Sequence, residues 1–335
     1  MTNKKYDVVA LGELLIDFTE NGLSEQGNPL LEANPGGAPC NVLSMLQKLG
    51  DHTAFIGKVG DDGFGHLLTK AVQEQGIDTT GLVYDNDVHT TLALVLKKEN
   101  GDRDFAFYRN PGADMNLKEE EVNASLIASS SIFHFGTLSL TDESVKKATQ
   151  KAVKIAKENG LTITFDPNLR EPLWKSLEEA HEQVAWGLQQ ADVVKISDNE
   201  ITWFTGLDDY DAGIAFLQKQ YPNLKLICLS MGGDGSKAVY RDIHVEYPAF
   251  LQEATIETTG AGDTFCACMI HTVLENGIDH LDEEKLKEML KFANAAASLV
   301  TTKKGALRVM PTKEEVEEFL KVFDLIYKEI YHGEV

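Results

Sequence analysis

The sequence predicts an α/β fold, a mostly parallel central sheet flanked by helices, with a small β-layer beside it. Three observations point that way. Short apolar runs of strand character alternate with amphipathic helical stretches along the 335 residues. Several helical stretches carry their own start or stop residues. Two segments, near residues 13–35 and 88–110, break the alternation and read as short β-structure.

Strands are expected at residues 6–11, 53–56, 131–135, 161–165, 192–196 and 224–229, each a compact run of apolar and β-branched residues. Between them, residues 142–159, 177–190 and 201–220 have helical spacing, the last broken near Gly206. Asp142 and Ser176 suit helix starts, and Gly160 suits a stop. The alternation reads as βαβ units. In the departing segments, residues 90–96 and 103–109 keep a period of two around Asn100-Gly101, a hairpin signature. Residues 14–31 are short, polar and rich in turn formers. Together these segments are expected to form a lid over a pocket. No fixed-period repeat, low-complexity tract or linker divides the chain, so a single domain over 1–335 is expected.

Composition excludes several classes. With 43% hydrophobic and 25% charged residues, and no apolar run of about 18, the chain reads as globular and without a membrane span. Glu13 and Asp17 interrupt the first apolar stretch, against a signal peptide. Four cysteines, with Cys266 and Cys268 one residue apart, fit small core residues in a reducing cytoplasm. The net charge of −22 argues against nucleic acid. A phosphate ligand would need a locally positive site made from backbone amides, magnesium and a few placed cations.

Three glycine-rich loops are candidates for chemistry. Gly36-Gly37-Ala38-Pro39-Cys40-Asn41 precedes a helical run ending at Gly50, so it is either a tight connection with Pro39 at the helix start or a close backbone approach to a ligand. Ser230-Met231-Gly232-Gly233-Asp234-Gly235 follows a strand and leads into another, which suits a hairpin turn as well as a phosphate loop. The third is Glu257-Thr258-Thr259-Gly260-Ala261-Gly262-Asp263, opening an apolar helix. Asp263 there could simply complement the helix dipole, worth about 0.3–1 kcal/mol. However, Gly260, Ala261 and Gly262 offer successive N–H groups to an anion, and an acid is a poor neighbour for an anion unless it removes a proton from the attacking group. The combination favours phosphoryl transfer to a hydroxyl. No GxxxxGK[ST] sequence is present, and Gly12-Glu13-Leu14 after the first strand is not a dinucleotide turn.

The loop at Gly36–Asn41 and the segment Thr258-Thr259-Gly260-Ala261-Gly262-Asp263-Thr264-Phe265 resemble the two signatures of the PfkB, or ribokinase-like, carbohydrate kinases, over residues 6–311. Gly12-Glu13-Leu14-Leu15-Ile16-Asp17, residues 107–115, Phe133-His134-Phe135-Gly136 and Asp166-Pro167-Asn168-Leu169-Arg170-Glu171-Pro172-Leu173-Trp174 resemble the bacterial fructokinase branch, the last also 2-keto-3-deoxygluconate kinases. The resemblance implies a three-layer ribokinase-like fold with a β-lid, and ATP-dependent transfer to the 6-hydroxyl of fructose. It implies Asp263 as the base and Gly260, Ala261 and Gly262 as the anion hole, with Arg170 near the phosphates. Asp17, Gly36, Gly37 and Asn41 would hold the sugar, with Arg109 reaching in from the lid. Lys195, Ser197, Glu200, Ser230, Gly232, Gly235, Gly262 and Asn294 would serve ATP, Glu200 ordering magnesium through water. A monovalent cation such as potassium would sit near Glu257, Thr259, Val300 and Gly305. A cytoplasmic homodimer paired through its lids is expected, as several relatives form. The rivals are a 2-keto-3-deoxygluconate kinase, for which Arg109 would meet the carboxylate, and a catalytically silent sugar- or nucleotide-binding regulator.

Overall fold

A computed structural model describes residues 4–97 and 103–332. The Asn100-Gly101 turn expected at the hairpin tip lies outside the described residues. The chain begins with β1 (Tyr6–Leu11), β2 (Leu15–Leu23) and β3 (Pro29–Gly36), then α1 (Ala38–Lys48), β4 (Thr53–Gly60), α2 (Gly63–Glu74), β5 (Asp78–Asp85), β6 (Leu92–Lys97) and β7 (Arg103–Tyr108). It continues with α3 (Ala124–Ala128), β8 (Ser130–Gly136), α4 (Glu143–Glu158), β9 (Thr162–Asp166), α5 (Leu177–Gln190), β10 (Val193–Ser197), α6 (Asp198–Thr205), α7 (Tyr210–Gln220) and β11 (Leu226–Ser230). The last elements are β12 (Ser236–Tyr240), β13 (Ile243–Tyr247), α8 (Ala261–Asn276), α9 (Glu283–Val300) and α10 (Lys313–His332).

Nine strands form the main sheet in the order β13-β12-β11-β10-β9-β8-β1-β4-β5. Pairing is parallel from β11 to β5, and β12 and β13 add an antiparallel edge. Residues two apart on a strand share a face, so each central strand feeds two cores. Val8 and Ala10 pack with α1, α2, α8 and α9, for example against Leu43, Leu68, Ile270 and Leu290. Val9 and Leu11 face α4, α5, α6 and α7 through residues such as Val153, Leu188, Ile201 and Leu217. Helix, sheet, helix is the expected three-layer arrangement. Asp142 and Ser176 cap α4 and α5 as anticipated, accepting from Ser144 N and Glu179 N, and Gly206 closes α6 in the left-handed region.

The second sheet has four strands in the order β3-β2-β6-β7. Asp17 on β2 stands opposite Asn34 on β3 and Ala93 on β6, and Ala93 opposite Phe107 on β7. Leu15, Asp17 and Thr19, alternating on β2, line a cavity, while the intervening Ile16 and Phe18 face the core, Phe18 edge-on to Phe64. The β-layer therefore covers a cavity, as expected of a lid.

Arg109 corrects one expectation. It does not reach into the cavity from the lid; it is 5% exposed at the root of β7. Its Nε donates to Asp114 Oδ2 (2.8 Å), its other nitrogens to Thr141 Oγ1 (2.8 Å) and the Leu138 carbonyl (2.9 Å). Asp114 also accepts from Thr91 Oγ1, next to the start of β6. A guanidinium that gives these three hydrogen bonds and also lies 2.7 Å from Asp114 Oδ2 through a terminal nitrogen braces the hairpin, and is committed to the scaffold. Removing one partner of a buried ion pair typically costs about 3–5 kcal/mol. Asp114→Ala should therefore lower the unfolding free energy by about that amount in urea titrations; a change under about 1 kcal/mol would remove the pair from this bracing role.

Candidate active site

The ends of β1, β9 and β10 and the N-termini of α1 and α8 converge at the carboxyl edge of the parallel strands, where α/β sheets place ligands. A cavity of about 280 Å³ opens there beneath the lid, lined by Glu13, Asp17, Asn34, Asn41, Arg170, Lys195, Glu257, Gly262 and Asp263, among others. A second cavity of about 330 Å³ lies behind it, lined by Ser230, Gly232, Gly235, Phe250, Leu251, Asn294 and Ala297, among others. Thr258 and Gly262 line both. The start of α8 is thus the partition between two compartments.

On the first side, α1 begins directly after the glycine pair. Gly37 has φ +122°, and a Cβ there would stand 2.4 Å from the Glu13 carbonyl oxygen. A Cβ on Gly36 would stand 2.2 Å from Asp17 Oδ2. Both positions therefore require glycine, one for backbone and space, the other to leave the Asp17 carboxylate its place. Glu13, 4% exposed, accepts from Ala38 N (2.9 Å) through Oε1 and so caps α1. The sequence reading gave Glu13 no role; its position between Gly12 and an apolar run at a strand exit was the available signal.

Asn41, in the first turns of α1, donates from Nδ2 to Asp263 Oδ2 at 2.8 Å, and its own buried Oδ1 has no partner among the described residues. Asp263 stands in the first turn of α8, and desolvation raises its pKa, with the Asn41 hydrogen bond, Lys195 and Arg170 pulling the other way. Desolvation likewise pushes Asp17 up to about 7 against the pull of Arg170. Glu13 also rises to about 7, through burial opposed by its backbone donors.

The backbone ring differs in one member from expectation. Gly260 is the N-cap at φ +80°, and Ala261 N donates to the Thr258 carbonyl (3.3 Å), which closes the turn. The N–H groups of Gly262 and Asp263 find no acceptor among the described residues. An anion at this helix end would meet Gly262 and Asp263 rather than Ala261.

Other expected residues fall in two groups. Arg170 and Lys195 line the first cavity, Arg170 exposed and Lys195 6% exposed beside Asp166 (3.2 Å). Ser230, Gly232, Gly235 and Asn294 line the second. Asn294 accepts from Ser236 Oγ and donates to the Tyr247 and Pro248 carbonyls, tying α9 to the antiparallel edge. The Ser230–Gly235 loop is both the hairpin turn between β11 and β12 and part of the cavity wall. Phe250 and Leu251 of this wall were missed, in a segment without periodicity.

Ser197 and Glu200, expected beside the nucleotide and its magnesium, also have a local structural role. They form a capping box on α6: Ser197 Oγ accepts from Glu200 N, and Glu200 Oε2 accepts from Ser197 N and Oγ at 2.8 Å. Glu200 Oε1 accepts from Leu169 N (2.8 Å), which fastens the Arg170 loop. Glu200 lines neither cavity directly, so magnesium ordered by it would be reached through water. No group of three ligating side chains that could hold a metal occurs among the described residues. The loops expected around a monovalent cation do meet: Thr259 Oγ1 donates to Glu257, and Gly305 N to Glu257 Oε2 (3.4 Å). Val300 is buried at the end of α9, its carbonyl accepting from Lys303 N.

Residues 5–313 match the model of the pfkB family carbohydrate kinases. The chain belongs to that family. It is thus an ATP-dependent sugar phosphotransferase with the ribokinase-like fold. The kinase is 41% identical to fructokinase-1 of Zea mays over 316 residues, 94% of this chain and 97% of that one. The structure of a Xylella fastidiosa fructokinase with bound ATP superposes with a TM-score of 0.86 at 29% identity, covering 95% of this kinase and 99% of that chain. A Vibrio cholerae fructokinase, bound to fructose, ADP and calcium, superposes with a TM-score of 0.84 at 28% identity, covering 94% and 99%. No helix among the described residues of this pfkB kinase is long and apolar enough to cross a membrane.

A carboxyl group whose pKa is higher folded than unfolded stabilises the fold most below its unfolded value, and that contribution is lost as pH rises through the folded value. For Glu13 this window runs from about 4.5 to about 7. Glu13→Gln cannot ionise but keeps an acceptor for Ala38 N. The melting temperature of this variant minus that of the parent kinase should become more positive between pH 5 and pH 7.5; a flat difference would show that Glu13 ionises without strain.

Proposed function

We propose that this kinase transfers the γ-phosphoryl group of ATP to the 6-hydroxyl of D-fructose, giving fructose 6-phosphate and ADP. One observation carries the reading: the Gly262 backbone is shared by two compartments, one holding Asp263 and polar groups suited to hydroxyls, the other suited to a nucleotide. The Xylella structure with bound ATP and the Vibrio structure with bound fructose and ADP support assigning the two ligands in this way.

The wall chemistry favours a neutral sugar. Glu13, Asp17, Glu257 and Asp263 face the first cavity against Arg170 and Lys195 only, and Arg109 is committed behind it. A sugar acid would bring a further negative charge to this set, which speaks against 2-keto-3-deoxygluconate. The free Asn41 Oδ1 calls for a donor, and a hydroxyl supplies one. Asp17 and Asn34, opposite one another on the lid, take further hydroxyls.

In this reading Asp263 accepts the proton of the 6-hydroxyl while its oxygen attacks the γ-phosphorus and the bond to the β–γ bridging oxygen breaks. Asn41 holds the carboxylate in place, and the Gly262 and Asp263 amides meet the charge of the transferring group. Magnesium would arrive with the nucleotide and neutralise phosphate charge, since it is commonly held by substrate phosphates and water. Glu257, with Thr259 and Gly305 donating to it, ties together the loops where a monovalent cation such as potassium would sit.

Asp263→Asn should lower kcat by roughly 10²–10⁴-fold with the fold intact, measured by coupled ADP release with fructose; unchanged turnover would remove Asp263 as base. In a sugar panel, kcat/KM for fructose should exceed that for 2-keto-3-deoxygluconate, and the reverse order would reassign the substrate. The same panel excludes a silent regulator if any sugar drives ADP release.

We also propose a homodimer through the lids. Leu23 (68% exposed), Leu30, Leu31 and Tyr108 leave apolar surface on this thin sheet, whose edges are β3 and β7. Light scattering at micromolar concentration should give about twice the 36.9 kDa chain mass, and a monomer mass would count against the pairing.

A further inference from the structure

We propose that Lys195 is a catalytic residue whose ammonium holds the migrating phosphoryl group at the passage between the two cavities, and that Asp166 is the residue that positions it. The inference rests on the kinase reading above and goes past it, from a lysine near the nucleotide to a specific charge acting on the group in flight.

Lys195 stands near the end of β10, and its side chain reaches the N-terminus of α8. A Cβ on Gly262 would lie 3.2 Å from Lys195 Nζ and 3.8 Å from Cε. Gly262 has no unusual backbone angle, so what it provides is room for the ammonium. Gly262 is also one of the two residues on both cavity walls, and it carries a free N–H. The lysine charge and the helix-end donor therefore converge on one spot, where phosphate must cross from one compartment to the other.

The spot needs a cation. Phosphoryl transfer spreads negative charge over the equatorial oxygens, and the acceptor-side wall is already acidic with Glu13, Asp17, Glu257 and Asp263. Arg170, the other cation on that wall, is exposed to solvent, where its field is screened. Lys195 is 6% exposed, so its field acts in a medium of low polarisability. A compact ammonium on a flexible stem can follow a group that moves along its path, which a planar fork does less well.

Asp166 at the end of β9 keeps the charge in place. Its Oδ2 lies 3.2 Å and its Oδ1 3.4 Å from Lys195 Nζ, while Oδ1 also accepts from Asn168 N (3.1 Å). Burial works against the lysine charge, and Asp166 and Glu200 outweigh it, so Lys195 stays protonated across the working range. Both contacts to Asp166 are longer than an ordinary charged hydrogen bond, which leaves the ammonium donors to give to a stronger anion. The transfer stays balanced as written above: the new oxygen–phosphorus bond forms, ADP leaves with the electron pair, the proton goes to Asp263, and Lys195 loses no proton.

The competing account is that Lys195 only neutralises a buried Asp166. Charge-neutral replacement separates the two, because swapping a buried pair for neutral residues is often harmless to the fold. Lys195→Met should lower kcat in the fructose-dependent ADP-release assay by about 10²–10³-fold, with the KM for fructose changed by less than about threefold. The double variant Lys195→Met/Asp166→Asn, which leaves no lone buried charge, should be as slow as the single one while binding fructose in calorimetry. Recovery of near-parental turnover in the double variant, or undiminished turnover in Lys195→Met, would overturn the proposal. If the single variant does not fold, the double variant decides. A parent protein without sugar-dependent ADP release would overturn the kinase reading itself, a result distinct from loss confined to the variants.

Discussion

The hydrogen bond from Asn41 to Asp263 joins residues 222 positions apart and fixes where everything else in the site must stand. Asn41 belongs to the first turns of α1 and Asp263 to the first turn of α8, so the bond pins two helix N-termini together at the carboxyl edge of the sheet. Both ends contribute positive dipole, and the buried acid between them is partly balanced by that field. The apolar faces of the same helices enter one core with β1 and β4, so side-chain packing fixes the separation that the hydrogen bond needs. Glu13 capping α1 and Gly37 packed against the Glu13 backbone make the arrangement stiff from the lid side.

Placing four acids around one cavity is electrostatically costly, and the protein offsets the cost locally. Asp263 is drawn down by Asn41, Lys195 and Arg170; Asp17 by Arg170; Asp166 by Lys195, though burial still leaves it at about 7. The net charge of −22 says nothing of this arrangement, because the few cations that matter are buried or aimed. Elsewhere charge serves the scaffold: the buried Arg109 and Asp114 root the lid, and the half-buried Glu200 secures both α6 and the Arg170 loop.

Much of this was legible in the sequence because local rules and the fold agree. The strands at 6–11, 131–135 and 192–196 are mostly apolar and buried on both faces, as parallel strands in a covered sheet are, and the glycine loops announce close approach. β5 and β13 went unread: Asp78-Thr79-Thr80-Gly81-Leu82-Val83-Tyr84-Asp85 and Ile243-His244-Val245-Glu246-Tyr247 are edge strands with polar residues facing solvent. Side-chain commitments were harder still. That Arg109 turns to Asp114 and Thr141, that Ala261 N–H bends back to Thr258, or that Glu200 meets Leu169 depends on contacts 3 to 32 residues away that no local pattern encodes. Resemblance supplied roles for those residues; geometry adds scaffold contacts that the resemblance does not specify.

The long span between Asn41 and Asp263 has a consequence for how the chain comes to be built. β1, α1, β4 and α2 emerge early in synthesis, yet one face of that half-sheet is closed only by α8 and α9, residues 261–300. Until the ribosome has delivered them, Val8, Ala10, Leu43, Met45 and Phe55 lack part of their cover. A nascent chain stalled short of about residue 260 therefore carries a broad greasy face, and the working centre is the last thing the growing protein acquires.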